Sequence, residues 1–427
     1  MKNCMSDKIS YSKDGPLNAY EKNLLHVFTL LQFILGCTFL PIAIYSALLV
    51  THSHSAIEPD LLPYYGAAKF LHSMPSDLYR PAAYVDFYHT LRPDIKYINN
   101  SMPYIAPPTL ALLLMPLGWL SYEHAIITWS AVNVFLCFVL AGQLGALAKI
   151  SHMPHLKLFF QSCVFGLTVT FYILQRCQMT LLICVLLSNF LLSVHRNKER
   201  GIIFWLALLL QIRPPLFLPI FFYIVGCRQW RMLISLISLS LLFTVVDMVV
   251  IDQHVWQDYS HLLHQFATDA HGDMPRNIYL MGNMAGWISN MTGSDRGNLF
   301  SLTVTSVYMF ACIACFAWPW LAKKKLEINR MALIIPLGLF ASPYLHLYDT
   351  ILLLPISVII TSLLLRCGQV KWMWLCYICA SYAAGLSMLY SWEARMLMLL
   401  LCMICLYLMM NEKKWHTHET SDTWALS

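Results

Sequence analysis

Glu58 and Asp60 stand two residues apart, followed by the paired tyrosines Tyr64 and Tyr65 and by Gly66-Ala67-Ala68. They open the longest polar stretch of the N-terminal half, which begins at the mouth of an apolar span and lasts to about Tyr104. Two carboxylates held at a membrane surface and followed by tyrosines form a loop able to move protons. Asp60 also has a plain structural reading, since aspartate is a preferred N-cap.

Other polar groups are few and sit where they are costly. Arg213 lies between the apolar runs 206–211 and 214–224, and Arg176 and Gln178 lie at the break between two helices. Asn283 falls in an outer loop, and His346 with Asp349 stands at another helix entrance. A charge at the bilayer centre costs roughly 2.5–3.5 kcal/mol on insertion scales. A shared polar cavity in the outer half of the membrane would explain why these residues are tolerated. Each again has a plain alternative. Arg213 can bind helix-end carbonyls, His346 can be an interface residue, and Gln178 and Asn283 can be inter-helix hydrogen-bonding groups. His261-x-x-His264 has a metal-compatible spacing, but no nearby ligand completes a site, and it reads as a solvated or interfacial helix face.

The elements that must position these groups are transmembrane helices. Hydrophobic residues make up 58% and charged residues 12% of the 427, against roughly 45–50% and 25% in soluble domains. Apolar runs of about 17–25 residues recur, the length that crosses a hydrocarbon core of about 30 Å. The chain is therefore an all-α polytopic membrane protein, and a soluble enzyme on a single anchor is excluded. The net charge of +6 (28 − 22) needs no nucleic acid, because the basic residues cluster in short loops between apolar runs. Cys312-x-x-Cys315, Cys376-x-x-Cys379 and Cys402-x-x-Cys405 lie inside apolar runs and read as packing, since redox and metal sites need access and deprotonated sulfur.

The first span, 26–50, is too long for a signal-peptide core and carries no small-residue cleavage site, so it reads as an uncleaved helix. Lysines at 2, 8, 13 and 22 place residues 1–25 in the cytoplasm. From the other end, the tail 412–427 with Lys413-Lys414 is inside, as are Arg366 with Lys371, Lys323-Lys324-Lys325, and Arg228 with Arg231. The loops near 391–395, 342–349 and 252–296 are then outside. The membrane domain is 26–411, with outer loops at about 52–103 and 252–296. Single spans at 102–120, 124–148, 158–174, 180–194 and 202–225 put Arg196–Arg200 outside, against the charge rule. Making 202–225 a re-entrant pair broken at Arg213-Pro214-Pro215 moves the conflict to 103–148. Both counts give roughly twelve helices. Within the first outer loop, 61–71 and 82–91 read as amphipathic interfacial helices punctuated by Pro75, Pro81 and Pro93.

In this setting the chain resembles glycosyltransferase family 87, of the type-C membrane glycosyltransferase superfamily. The resemblance runs from about Asp60 to Pro355. Asp60 with Tyr64-Tyr65-Gly66-Ala67-Ala68, Leu78-Tyr79, Tyr104-x-x-Pro107-Pro108 and Leu114-x-Pro116-Leu117 look like the family's opening. Cys177-Gln178 stands where Gly-Gln is usual and Arg213-Pro214 where Lys-Pro is usual. Gly282-Asn283-Met284-Ala285-Gly286 is similar to the Asn-Gln-Ser segment, and Ser342-Pro343 with His346, Tyr348 and Asp349 resembles the Ser-Pro-x-x-x-His segment.

The resemblance implies a type-C bundle that transfers a hexose, with mannose the expected sugar, from a polyprenyl-phosphate donor. A glycan or glycolipid on the extracytoplasmic face is the acceptor, and a bacterial inner (plasma) membrane the expected location. It further implies Asp60 as general base with inversion, and Glu58 as its support or an acceptor ligand. Arg213, Arg276 and His346 become candidates for the departing phosphate, Tyr64 and Tyr65 for stacking on a sugar ring, and Gln178, Asn283 and Asp349 for substrate binding. No metal or other cofactor is expected, because the lipid leaves as a phosphate monoester with no diphosphate to clamp. A transporter or flippase of lipid-linked or amphipathic substrates explains the helices and the intramembrane arginine, but not a structured first loop opening on an acidic pair. An accessory protein without catalysis is the third reading.

Overall fold

The computed structural model describes residues 19–52, 60–91, 103–150, 156–268, 284–292, 298–322, 326–342, 346–366 and 391–410. Glu58, Arg276 and Asn283, the basic run 323–325 and Cys376-x-x-Cys379 lie outside the described residues. Regular structure among the described residues is entirely helical. Five helical segments are long and apolar enough to cross a membrane. They lie in α1 (Ala19–His52), α5 (Tyr122–Ile150), α11 (Trp230–Val250), α14 (Asn298–Ala322) and α16 (Leu353–Arg366) with the 3-10 turn before it (Leu347–Leu352). A sixth results if α6 (Lys157–Gly166) and α7 (Thr168–Arg176), bent by 45° at their break, count as one span. The expected twelve is not confirmed among the described residues, where several further apolar runs form helices shorter than these.

Burial separates the core of the bundle from its lipid-facing surface. The segment Tyr348–Leu365 is 94% buried and forms the centre. On α11, by contrast, Ile234, Leu241, Val245 and Val249 are all exposed. An apolar face of that length suits hydrocarbon rather than water.

Contacts along the helices fix their directions. Trp129 and Asn133, near the start of α5, donate to the Gln178 carbonyl ahead of α8 (Thr180–His195), and Gln143 further along donates to Val185. Thus α5 and α8 run together. Gly201, at the start of α9 (Glu199–Ile212), abuts Ser193 at the end of α8. Arg213, at the end of α9, pairs with Asp349, which also bonds Thr180 at the start of α8. So α9 returns along α8. From Arg213 the chain turns into α10 (Pro214–Gly226), which follows α14: Tyr308 donates to the Pro215 carbonyl and Gly226 abuts Phe316. Next α11 comes back beside α9, with Gln211 donating to the Ser240 carbonyl. A helix of 14 residues is about 21 Å long, so α9 and α10 form a hairpin of short helices with Arg213-Pro214-Pro215 at its tip. Proline has no N–H to lose at a helix start, and here two of them open α10.

The span expected at 102–120 is corrected. It forms only the seven-residue α4 (Pro108–Leu114) and a 3-10 turn (Met115–Trp119). These lie against α2 (Leu62–Ser73): Tyr65 donates to the Leu120 carbonyl, and Gly118 is pressed so closely to the Ala68 carbonyl that a side chain would not fit. Consequently 103–120 stays at the end of the bundle that holds Asp60, and α5 starts from there. The conflict in the charge pattern then disappears. Lys149, Lys157, Arg196, Lys198, Arg200, Arg228 and Arg231 all fall at the opposite end.

The first loop is helical where amphipathic segments were expected. Besides α2 it contains α3 (Pro81–Leu91), and a 3-10 turn starts at Pro75. Tyr79 donates to the Ala106 carbonyl and Tyr84 to the Leu78 carbonyl, tying both helices to the approach to α4. None of the described cysteines forms a disulfide, and Cys312, Cys315, Cys402 and Cys405 are buried, consistent with packing roles.

Candidate functional site

Asp60 sits in the turn before α2 and is held by the end of α7. Its backbone N–H donates to the Arg176 carbonyl at 2.9 Å. Its carboxylate lies 4.0 Å from the Arg176 guanidinium and accepts a hydrogen bond from the Gln178 amide. Asp60 is not an N-cap: Leu61 occupies that place in α2, without a side-chain bond. The carboxylate keeps 37% exposure, so it is anchored on one side and open on the other. Burial pushes its pKa up, while Arg176 and the Gln178 hydrogen bond pull it down.

The turn that carries Gln178 has an unusual backbone. Cys177 has φ 54° and ψ 42°, the left-handed conformation usually given to glycine. In an L-residue this costs roughly 1–2 kcal/mol. The Ser130 hydroxyl lies 3.4 Å from the Cys177 sulfur and helps hold the turn. Its consequence is local: the chain reverses sharply enough to put both Arg176 and Gln178 on Asp60.

A second ion pair forms at the tip of the α9–α10 hairpin. Arg213 lies 3.6 Å from Asp349, whose side chain is wholly buried. Asp349 also accepts from the Thr180 hydroxyl at 3.2 Å and from the His346 backbone N–H at 3.0 Å. These partners compensate a charge that would otherwise be very costly to bury. His346 has its pKa pushed down to about 3 by burial and by Arg213, so at neutral pH it offers a neutral imidazole.

Aromatic rings join the two pairs. Arg176 lies 5.5 Å from the ring centre of Tyr172, which stacks on Tyr348 at 6.4 Å, which in turn stacks on His346 at 5.0 Å. Tyr64 closes the circuit by hydrogen-bonding Arg213 and lying in the field of both Asp60 and Asp349. Burial, the largest influence, raises its hydroxyl pKa, so the phenol stays protonated. Asp60, Tyr64, Gln178, Arg213, His346 and Asp349, scattered over the sequence, therefore meet at one end of the bundle.

Tyr65 does not join them. One helix position on from Tyr64, it faces Phe87 and Tyr122 and spends its hydroxyl on the Leu120 carbonyl. Its ring and hydroxyl are thus engaged in packing of the first loop. The Gln178 side chain is committed to Asp60 and only 1% exposed.

A supporting network went unread in the sequence. Thr109 donates to Asp247 at 2.6 Å and lies 3.2 Å from Gln211, two residues before Arg213. The cluster ties α4 and α11 to the hairpin tip. Its signal was present as an aspartate and a glutamine inside apolar runs, which are rare in membrane helices. Arg176 and Thr180 carried weaker signals, since only the folded chain shows their partners. Among the described residues no group of three His, Cys, Asp or Glu side chains is placed to hold a metal, and His261 and His264 line a cleft on one face of α12 (Val255–Thr268) with Trp256, Gln257 and Ser260.

Comparison with known families gives one result. The family model described as Glycosyltransferase family 87 matches residues 104–343. That stretch contains Gln178 and Arg213, and stops just short of His346 and Asp349. No curated protein and no solved structure matches the chain.

Proposed function

The chain belongs to glycosyltransferase family 87, and from that membership and the site geometry we propose a polyprenyl-phosphate-hexose transferase that uses Asp60 as general base. As a member of the family it is a membrane glycosyltransferase with a sugar donor and an acceptor. The observation that carries the finer reading is the placing of a half-open carboxylate and an arginine pair on one circuit of contacts. A transfer needs a base for the acceptor hydroxyl and a cation for the leaving phosphate, and this end of the bundle supplies both. A transporter does not need the structured loop that fixes Asp60.

In the reaction, Asp60 accepts the acceptor's hydroxyl proton as that oxygen bonds to the anomeric carbon. The anomeric C–O bond to phosphate breaks, and its electron pair leaves with the phosphate oxygen. The donor phosphodiester becomes a monoester and gains negative charge, which Arg213 and a neutral His346 N–H stabilise. Tyr64 lies between base and cation and serves as a hydrogen-bonding wall for the sugar. Mannose remains the proposed sugar and a glycan or glycolipid the proposed acceptor. A single displacement inverts the anomeric centre, so the product linkage should have the anomeric configuration opposite to the donor's when analysed by NMR. Retention would contradict the single-step mechanism.

The site is proposed to face the extracytoplasmic side of a bacterial inner membrane. The basic residues at the opposite end suit the cytoplasmic face. In a cysteine-depleted protein, Ser76→Cys should react with an impermeant thiol reagent added outside, while Lys198→Cys should react only after permeabilisation. The reverse pattern would place the site in the cytoplasm.

A further inference from the structure

Asp60 and Arg176 are joined twice, through the main chain and through the side chains. The Asp60 N–H donates to the Arg176 carbonyl at 2.9 Å, and the guanidinium stands 4.0 Å from the carboxylate. Arg176 can reach because α7 ends in a left-handed turn at Cys177, which also delivers the Gln178 amide to Asp60. Beyond the general-base reading, and resting on it, we propose that Arg176 is a positioning residue which holds Asp60 as an oriented carboxylate, ready to take the acceptor's proton.

The charges around Asp60 support the assignment. Arg176 and Tyr172 face it from α7, Cys177 from the turn and Tyr64 from α2. Gln178 contributes a neutral hydrogen bond. Of these groups Arg176 alone is cationic, and the other three are protonated neutral side chains at physiological pH. Surrounding protein disfavours the ionised form of Asp60, and Arg176 is the largest opposing influence. Tyr172, which hydrogen-bonds Arg176, keeps the guanidinium turned towards Asp60.

The assignment is tested on the full chain in bilayers, without substrate. The carboxylic-acid band that disappears in Asp60→Asn identifies Asp60 in infrared difference spectra, and its pH titration gives the midpoint. In Arg176→Gln the midpoint should rise by about one to three pH units, the range by which a nearby arginine lowers an aspartate. In Arg176→Lys, which keeps the charge, it should stay near that of the unaltered protein. The acidic limb of the transfer rate should move with the midpoint, and the alkaline plateau should return. An unmoved midpoint in Arg176→Gln, or one displaced as far in Arg176→Lys, overturns the proposal. Because the titration needs no turnover, its failure is separate from failure of the base assignment, which rests on the activity of Asp60→Asn.

Discussion

Replacing Asp60 by asparagine should cut transfer by about 10²–10⁴-fold, the usual contribution of a general base, in protein that still folds and inserts. The substitution keeps the shape of the side chain. It also keeps an acceptor oxygen for Gln178 and leaves the Asp60 N–H bond to Arg176 intact. What is lost is the basicity, together with the charge that faces Arg176. Donor binding should survive, because the carboxylate acts on the acceptor and would repel the donor phosphate. Glu58→Gln should cost less. If Asp60→Asn kept normal turnover and Glu58→Gln were inactive, the base would lie two residues upstream.

Arg213→Ala should produce the largest combined loss, in donor use and in stability. It leaves Asp349 wholly buried, still bonded to the Thr180 hydroxyl and the His346 backbone N–H but without its cation. Breaking a buried pair from one side typically costs about 3–5 kcal/mol, a large share of the roughly 5–15 kcal/mol that keeps a protein folded. Arg213→Lys should retain part of the donor use, since the charge survives but the planar fork does not. The double variant Arg213→Met with Asp349→Leu separates the two effects. It should recover much of the thermal stability, because neither charge is left buried, yet remain inactive with donor. Near-normal donor kinetics in Arg213→Ala would reduce Arg213 to a structural residue.

What the sequence could and could not reveal follows from how the signals are written. Helical class and the lipid-facing runs were legible because hydrocarbon demands long apolar stretches, and α1, α5 and α11 supply them. The run 102–120 misled, since it is apolar enough to cross yet 108–119 fold as a short helix and turn under α2. Their burial by the first loop, not by lipid, is a tertiary fact. Arg213 was legible as a costly charge in an apolar run, and its break with Pro214-Pro215 marked the hairpin tip. Its partner Asp349 was suspected as a site residue, but pairing across 136 positions (349 − 213) leaves no local trace. Tyr64 and Tyr65 looked equivalent because they are adjacent. On a helix, neighbours point about 100° apart, so one reaches Arg213 and the other packs on Tyr122.

The central claim is that this end of the bundle transfers a sugar from a lipid phosphate. The most direct measurement is the fate of the donor lipid in proteoliposomes that contain the full chain, a polyprenyl-phosphate hexose and a carbohydrate acceptor. Polyprenyl phosphate should appear in step with glycosylated acceptor, one for one, and both should fall together in Asp60→Asn. Donor that crosses the bilayer intact, with no polyprenyl phosphate released, would contradict the account and identify a carrier instead.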